Sequence, residues 1–465
     1  MALSGSTVFE VRTAGADTNG GGFVTGASGS DYSQQDAKNT VGSDISTTDA
    51  VANGTTTLTS ATANFGTTIV GNIIYLQGGT GSLAAGWYQV TARASTTSIT
   101  LDRTVAAGTG ITMNIGGALA SMGRAATLAI VSGMYVYLKS GTYAITSTTQ
   151  NADAGRVVAT QNTGYEAYQT TRGDLGAQAI MQASGIASTT IISGNGTPVV
   201  YRGITVDGAS LTAIKGWSCP GLMYKCGAIN CTNTGFDDNS TTGTTWKQCY
   251  ATGCTTAGAA FLMANAIGVN CIDCIAYDNT IVGFSMDIGA TAIRCISYGN
   301  SGASSDGFYM TGSGAHCCEC VAYDNGRDGF RIDGGANLIQ NCLSEGHAAG
   351  WGFIITGASA RNNQLANCGS YDNNSGDFSI ANTASNRNYS SVTGSSSFFV
   401  NAAGADFALN NTAGGGLDAQ GVGYPGALPV GGTGYIDLGA LQHQDGGGGS
   451  PGGGGGSEVA YGFIG

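Results

Sequence analysis

CVAYDNGRDGFRIDG, residues 320–334, decides how the chain is read. It is one copy of a phrase: a cysteine, a turn with Asn, Asp or Gly, then a phenylalanine 10 to 13 residues on. The copies run Cys226–Phe236, Cys249–Phe261, Cys274–Phe284, Cys295–Phe308, Cys320–Phe330, Cys342–Phe353 and Cys368–Phe378. Successive cysteines stand 23, 25, 21, 25, 22 and 26 residues apart. A period in the twenties means that each unit buries its apolar face only against its neighbours. Phe330 and Ile332 share one side with Arg331 opposite, and Phe284, Ser285, Met286 repeat the pattern. That is the strand period of two. Each run ends in turn residues, such as Asp287, Thr311-Gly312, Asp333-Gly334 and Thr356-Gly357. A second turn follows each cysteine, as in Tyr277-Asp278-Asn279, Tyr298-Gly299-Asn300, Tyr323-Asp324-Asn325 and Tyr371-Asp372-Asn373. Periodic leucines and a helix in each repeat are both lacking. The expectation is all-β: coils of about three short strands, stacked in parallel at roughly 4.8 Å.

Outward from this core, residues 116–380 read as the solenoid, and "GALASMGRAATLAIVS" (117–132) as a helix capping its first coil. Residues 1–39 read as a strand and a glycine-rich loop. Residues 40–115 lack the phrase; "GNIIYLQGG", "GWYQVTARAS" and "TSITLDRT" are strand-like runs of an inserted antiparallel β-domain. Residues 150–185 read as a polar excursion, and 381–445 as a C-terminal cap. Residues 446–465 hold a flexible linker, GGGGSPGGGGGS, and the peptide EVAYGFIG. Val459, Tyr461, Phe463 and Ile464 make that peptide a docking segment that adds a strand to a partner.

Gly makes up 79 of 465 residues and charged residues only 10%, which suits a solenoid with a weakly charged surface. The formal net charge of −12, with no basic patch, excludes nucleic acid as a partner and disfavours anionic membranes. No apolar run is long enough for a membrane span, and "MALSGSTVFEV" has no signal-peptide pattern. The 13 cysteines recur at equivalent coil positions, which reads as a reduced, buried ladder.

"VYLKSGTYAIT", the repeated "C-x-A-Y-D-N…GF" and "DFALNNTAGGGLDAQG…YIDLGALQ" span roughly residues 117–445 and resemble right-handed parallel β-helix proteins of the pectin-lyase-like superfamily. The opening "VFEVRTAGADTNGGGFVTGASGSDYSQQDA", with the later "TTRGD", resembles the subset found in tailed bacteriophages. That resemblance implies a structural virion component, made and assembled in the host cytoplasm: a tail spike, fibre or head appendage. It implies a homo-oligomer, commonly a trimer, other virion proteins as partners for the C-terminal peptide, and a host-surface glycan as a ligand. A tail-spike polysaccharide depolymerase (hydrolase or lyase) and a bacterial surface or secreted adhesin are the competing readings.

Hydrolysis of a glycan needs two facing carboxylates about 5–10 Å apart; a lyase needs a base with a cation to hold the substrate carboxylate. Asp287 and Asp333 fall in equivalent slots two coils apart, but Thr311 fills the slot between them, so they read as turn residues. Asp278, Asp324 and Asp372 read the same way. Arg331, with Arg327 and Asp328, is the best charge cluster and reads as a coil edge able to contact a sugar. Cys271-x-x-Cys274 and His316-Cys317-Cys318-x-Cys320 have metal-like spacing, yet occupy apolar slots of the repeat. Arg172-Gly173-Asp174 reads as a loop with a capping Asp. No catalytic residue, metal or cofactor is expected.

Overall fold

The computed structural model describes residues 3–38, 46–81, 83–129, 131–159, 163–194, 198–238, 243–264, 268–381, 385–420 and 438–440. Three sheets of 13, 11 and 11 strands, parallel except for the edge strand Gly22–Val24, wind into a solenoid. One coil is the first-sheet strand Asn270–Ile272, the second-sheet strand Ile275–Tyr277 and the third-sheet strand Val282–Met286. The next coil repeats it with Thr291–Ile293, Ile296–Tyr298 and Phe308–Met310.

The phenylalanines form one column. Phe236 pairs with Phe261, Phe261 with Phe284, Phe284 with Phe308, Phe308 with Phe330, Phe330 with Phe353 and Phe353 with Phe378. Their rings stack 4.7 to 5.3 Å apart and within 8° of parallel, and Trp217 extends the stack beside Phe236. Across the core the second sheet presents small side chains in register: Ala251, Ala276, Ser297, Ala322, Ser344 and Ser370. Large against small fills the interior to native density. The glycine before five of the seven phenylalanines has the same origin (Ala260 precedes Phe261, and Asp377 precedes Phe378). A Cβ on Gly283, Gly329 or Gly352 would lie 2.0 to 2.1 Å from the hydroxyl of Ser297, Ser344 or Ser370.

All 13 cysteines are free, and all but Cys318 are buried. Before each repeated cysteine the chain turns on one left-handed residue: Lys225, Gln248, Asp273, Arg294, Glu319, Asn341 or Asn367, with φ from 50° to 56°. The second turn divides its labour. Asp278, Asp324 and Asp372 take positive φ, while the Asn that follows is buried and bonds along the stack. The Asn279 N–H donates to Asn300 Oδ1 at 3.1 Å, and Asn300 Nδ2 donates to Asn325 Oδ1 at 2.7 Å. In the next coil His347 holds the slot. The Asn325 N–H donates to His347 Nδ1 at 3.0 Å, and the His347 N–H to Asn373 Oδ1 at 3.3 Å.

The solenoid starts earlier and ends later than the phrase alone marks. Thr7–Val11 already pairs in parallel with Tyr135–Lys139. The barrel at residues 46–115 is therefore inserted between two neighbouring strands of the first sheet. It is closed and antiparallel, with its own core around Phe65, Ile74, Val90 and Ile111. Helix α1 (Met122–Leu128), capped by Ser121, packs its buried face on the first coils. Residues 150–185 are coil rather than excursion: Gly155–Ala159, Gly164–Tyr168 and Ala179–Ala183 belong to the three sheets. They look polar because Gln, Thr and Asp fill the turns and no cysteine marks them. At the other end, Arg387–Tyr389 and Val392–Thr393 continue the stack past 380. Beyond them the chain turns back along the flank. Phe398, Phe399, Phe407, Leu409 and Leu438 cover the outer face of the second sheet over Val321, Leu343, Tyr298 and Tyr323. That face is apolar (Ile275, Ile296, Val321 and Leu343 stand in one row), so it needs a cover.

Candidate functional site on the third-sheet flank

The charge cluster read around Arg331 is wider in space than in sequence. Asp306, one coil earlier, lies under Arg327, whose Nε donates at 2.6 Å and whose Nη2 closes a second bond. Asp306 Oδ1 also accepts the Asp328 N–H at 3.2 Å. Asp328 Oδ1 accepts the Trp351 N–H at 2.8 Å, and its other oxygen lies 3.6 Å from Arg331. Arg331 Nε donates to Asp333 Oδ2 at 3.3 Å, and the same oxygen accepts the Tyr309 hydroxyl at 2.9 Å. The Arg331 guanidinium stands 5.6 Å from the Tyr309 ring centre. Parallel pairing places Tyr309 beside Arg331, and Arg331 beside Ile354.

The cluster has a closed floor and an open rim. Asp306 and Asp328 are 0% and 3% exposed. Burial pushes the Asp306 carboxyl above its usual range, and Arg327 offsets only part of that; the same contact raises Arg327. Tyr309 is raised by burial and by its bond to Asp333. Arg331 and Tyr309 are half-buried, so part of each side chain reaches solvent, while the Trp351 ring lies over Gly376 of the next coil. This arrangement can offer hydrogen bonds and flat apolar surface to a polar ligand. The buried carboxylates are held by arginine and backbone N–H groups.

The other residues singled out have structural places. Asp287 caps its own turn through the Ile288 N–H at 2.9 Å, and Asp333 belongs to the cluster above. Arg172 Nη2 bonds Glu10 at 2.6 Å and its Nη1 bonds Asp31 at 2.9 Å, while Arg12 and Tyr168 complete the shell around the buried Glu10. Asp174 accepts the backbone N–H groups of Gln169, Thr170, Thr171 and Gly176, which hold its carboxyl well below the usual range. Arg172-Gly173-Asp174 is thus a clasp between loop and first strand. Among the described residues no group of three or more His, Cys, Asp or Glu could hold a metal ion. Cys317 is buried inside the first sheet, while Cys318, next to it, is half-exposed. Val459, Tyr461, Phe463 and Ile464 lie outside the described residues. Sequence reasoning counted Asp306 among the acidic residues of the coils without joining it to this cluster, and missed Tyr309; their place one coil before Asp328 and Arg331 was the available signal.

The three wound sheets make the chain a parallel β-solenoid. No family model and no curated protein matches it. Among solved structures, the A-module of Azotobacter vinelandii mannuronan C-5 epimerase aligns with TM-score 0.47 and 16% identity, covering 56% of this chain and 79% of that one. Pectate lyase Pel9A aligns at TM-score 0.40 and 15% identity, over 70% of this chain and 92% of its own. The ORF18 protein of Geobacillus virus E2 aligns at TM-score 0.41 and 17% identity, over 58% of this chain and 57% of its own.

Proposed function

We propose that the protein is a structural component of a tailed-phage particle whose third-sheet flank contacts a host-surface glycan. The observation that supports this reading is the half-exposed rim of Tyr309 and Arg331 over a floor of paired carboxylates. Aromatic faces pack against sugar C–H groups, and a guanidinium held by carboxylates donates to hydroxyls without reordering. Asp306 and Asp328 lie under Arg327 and accept backbone N–H groups, a role that holds the rim in place. The reading is of retention, not cleavage.

The test uses the full chain on a panel of purified bacterial surface polysaccharides, scoring both retention and polymer length. Retention without shortening is expected. Arg331→Ala and Tyr309→Ala should each weaken it about tenfold, the effect of losing one interface anchor. If no polysaccharide is retained, or both variants bind like the parent, the glycan reading fails. Shortening of the polymer would assign a depolymerase instead.

A further inference from the structure

The third sheet ends, among the described residues, at Gly376–Ile380, which pairs only with Trp351–Ile355. Its burial shows an open side. Gly352, Phe353 and Ile355 of the preceding strand are buried, whereas all five residues of Gly376–Ile380 are half-buried. The Phe378 ring stacks on Phe353 at 5.3 Å, and the column ends with it. A parallel strand edge of this kind is a template for one more strand.

The chain carries a segment written in the same phrase. Trp351-Gly352-Phe353-Ile354 has its match in Tyr461-Gly462-Phe463-Ile464: aromatic, glycine, phenylalanine, isoleucine. Glycine also precedes Phe236, Phe284, Phe308, Phe330 and Phe353, while Ala260 and Asp377 stand before Phe261 and Phe378. In register, Phe463 falls on Phe378 and Tyr461 on Gly376, over which the Trp351 ring lies. Ala440 is held on the flank with Leu343 and Val321, and 20 residues, nine of them glycine, separate it from Tyr461; a glycine-rich chain of that length reaches roughly 25 Å.

We infer that residues 461–464 of the same chain add as the last strand of the third sheet, placing Phe463 on the open end of the phenylalanine column. The acceptor of the C-terminal peptide is thus this chain's own solenoid end rather than a neighbouring virion protein. A glycine tether of this length gives a millimolar effective concentration, which favours the intramolecular contact over a second copy. This inference does not depend on the glycan reading.

Ser379 pairs with Ile354 in the stack, so Ile464 would stand beside it. The test is a Ser379→Cys, Ile464→Cys chain under mild oxidation, with Thr97→Cys, Ile464→Cys as the distant control, read by mass spectrometry of intact protein and peptides. Hydrogen exchange on the parent and on Phe463→Asp provides a second readout that needs no new cysteine. The expected result is a 379–464 crosslink within monomers and none in the control. The amides at 462–464 should exchange about tenfold or more slowly than an unstructured peptide, and lose that protection in Phe463→Asp. Crosslinking only between chains, equal crosslinking to residue 97, or free-peptide exchange of the tail in the parent would overturn the inference.

Discussion

Replacing His347 with Asn should remove an acid-sensitive point from the solenoid. His347 stands in a column otherwise held by Asn and is fully buried, and burial lowers its pKa from 6.5 to about 3. Nδ1 accepts the Asn325 N–H, so the neutral ring carries its proton on Nε2, 2.8 Å from Ser344 Oγ; that hydroxyl donates to the Gly352 carbonyl at 3.0 Å. A second proton would break the Asn325 bond and leave a cation in the core. The unfolded chain binds this proton more readily, so stability is full above pH 6.5 and falls as the pH drops toward the folded value. The slope is about 1.4 kcal/mol per pH unit, or about 3 kcal/mol by pH 4.5. Asn fits the slot: Asn300 Nδ2 bonds Ser297 at 3.0 Å and Asn373 Nδ2 bonds Ser370 at 2.9 Å in the same geometry. His347→Asn keeps these bonds but leaves a small void, and should cost about 1–2 kcal/mol at neutral pH. The assay is urea unfolding of parent and variant at about pH 7.5 and about pH 4.5, comparing the two losses so that groups common to both cancel. An equal loss in the two proteins would refute the reasoning.

Phe330→Ala removes a ring stacked at 4.7 and 4.8 Å on its two neighbours; a loss of about 3–5 kcal/mol in denaturant unfolding is expected. Arg172→Ala leaves the buried Glu10 carboxylate without a main partner, and should cost about 3–5 kcal/mol by the same assay. In the native protein a thiol reagent should label Cys318 alone, and all 13 cysteines after denaturation, as counted by intact mass. Labelling of Cys274 or Cys320 in the native state would contradict the buried column.

The phenylalanine register was legible because a strand exposes its period directly and seven copies of one phrase fix the spacing. The cysteines were legible for the same reason. Glu345-Gly346-His347 hid its kinship with Tyr-Asp-Asn, although His347 lies 22 residues after Asn325 and 26 before Asn373. Position in the period, not residue type, carried that information. The Glu10–Arg172 clasp joins residues 162 apart, and no local pattern announces such a pair. The rim at Tyr309 and Arg331 was half legible: one cluster lay along the chain, but its second row came from the neighbouring coil. The flank cover of Phe398 to Leu409 was read as an end cap, because an apolar segment without period shows that it is buried but not against which surface.

The left-handed corner before each repeated cysteine sets where the molecule could be cut and rejoined. Gln248 and Asp273 have φ of 53° and 55°, and both lead into a cysteine that enters the second sheet. Excising residues 249–273 would join Gln248 to Cys274 with corner, thiol column and ring column all still aligned. Strand pairing joins each coil only to the one above and the one below, so the shortened rod would need one rung fewer in each sheet. The length of this protein is in that sense a free variable, adjustable by whole coils while the barrel at one end and the flank cover at the other stay as they are.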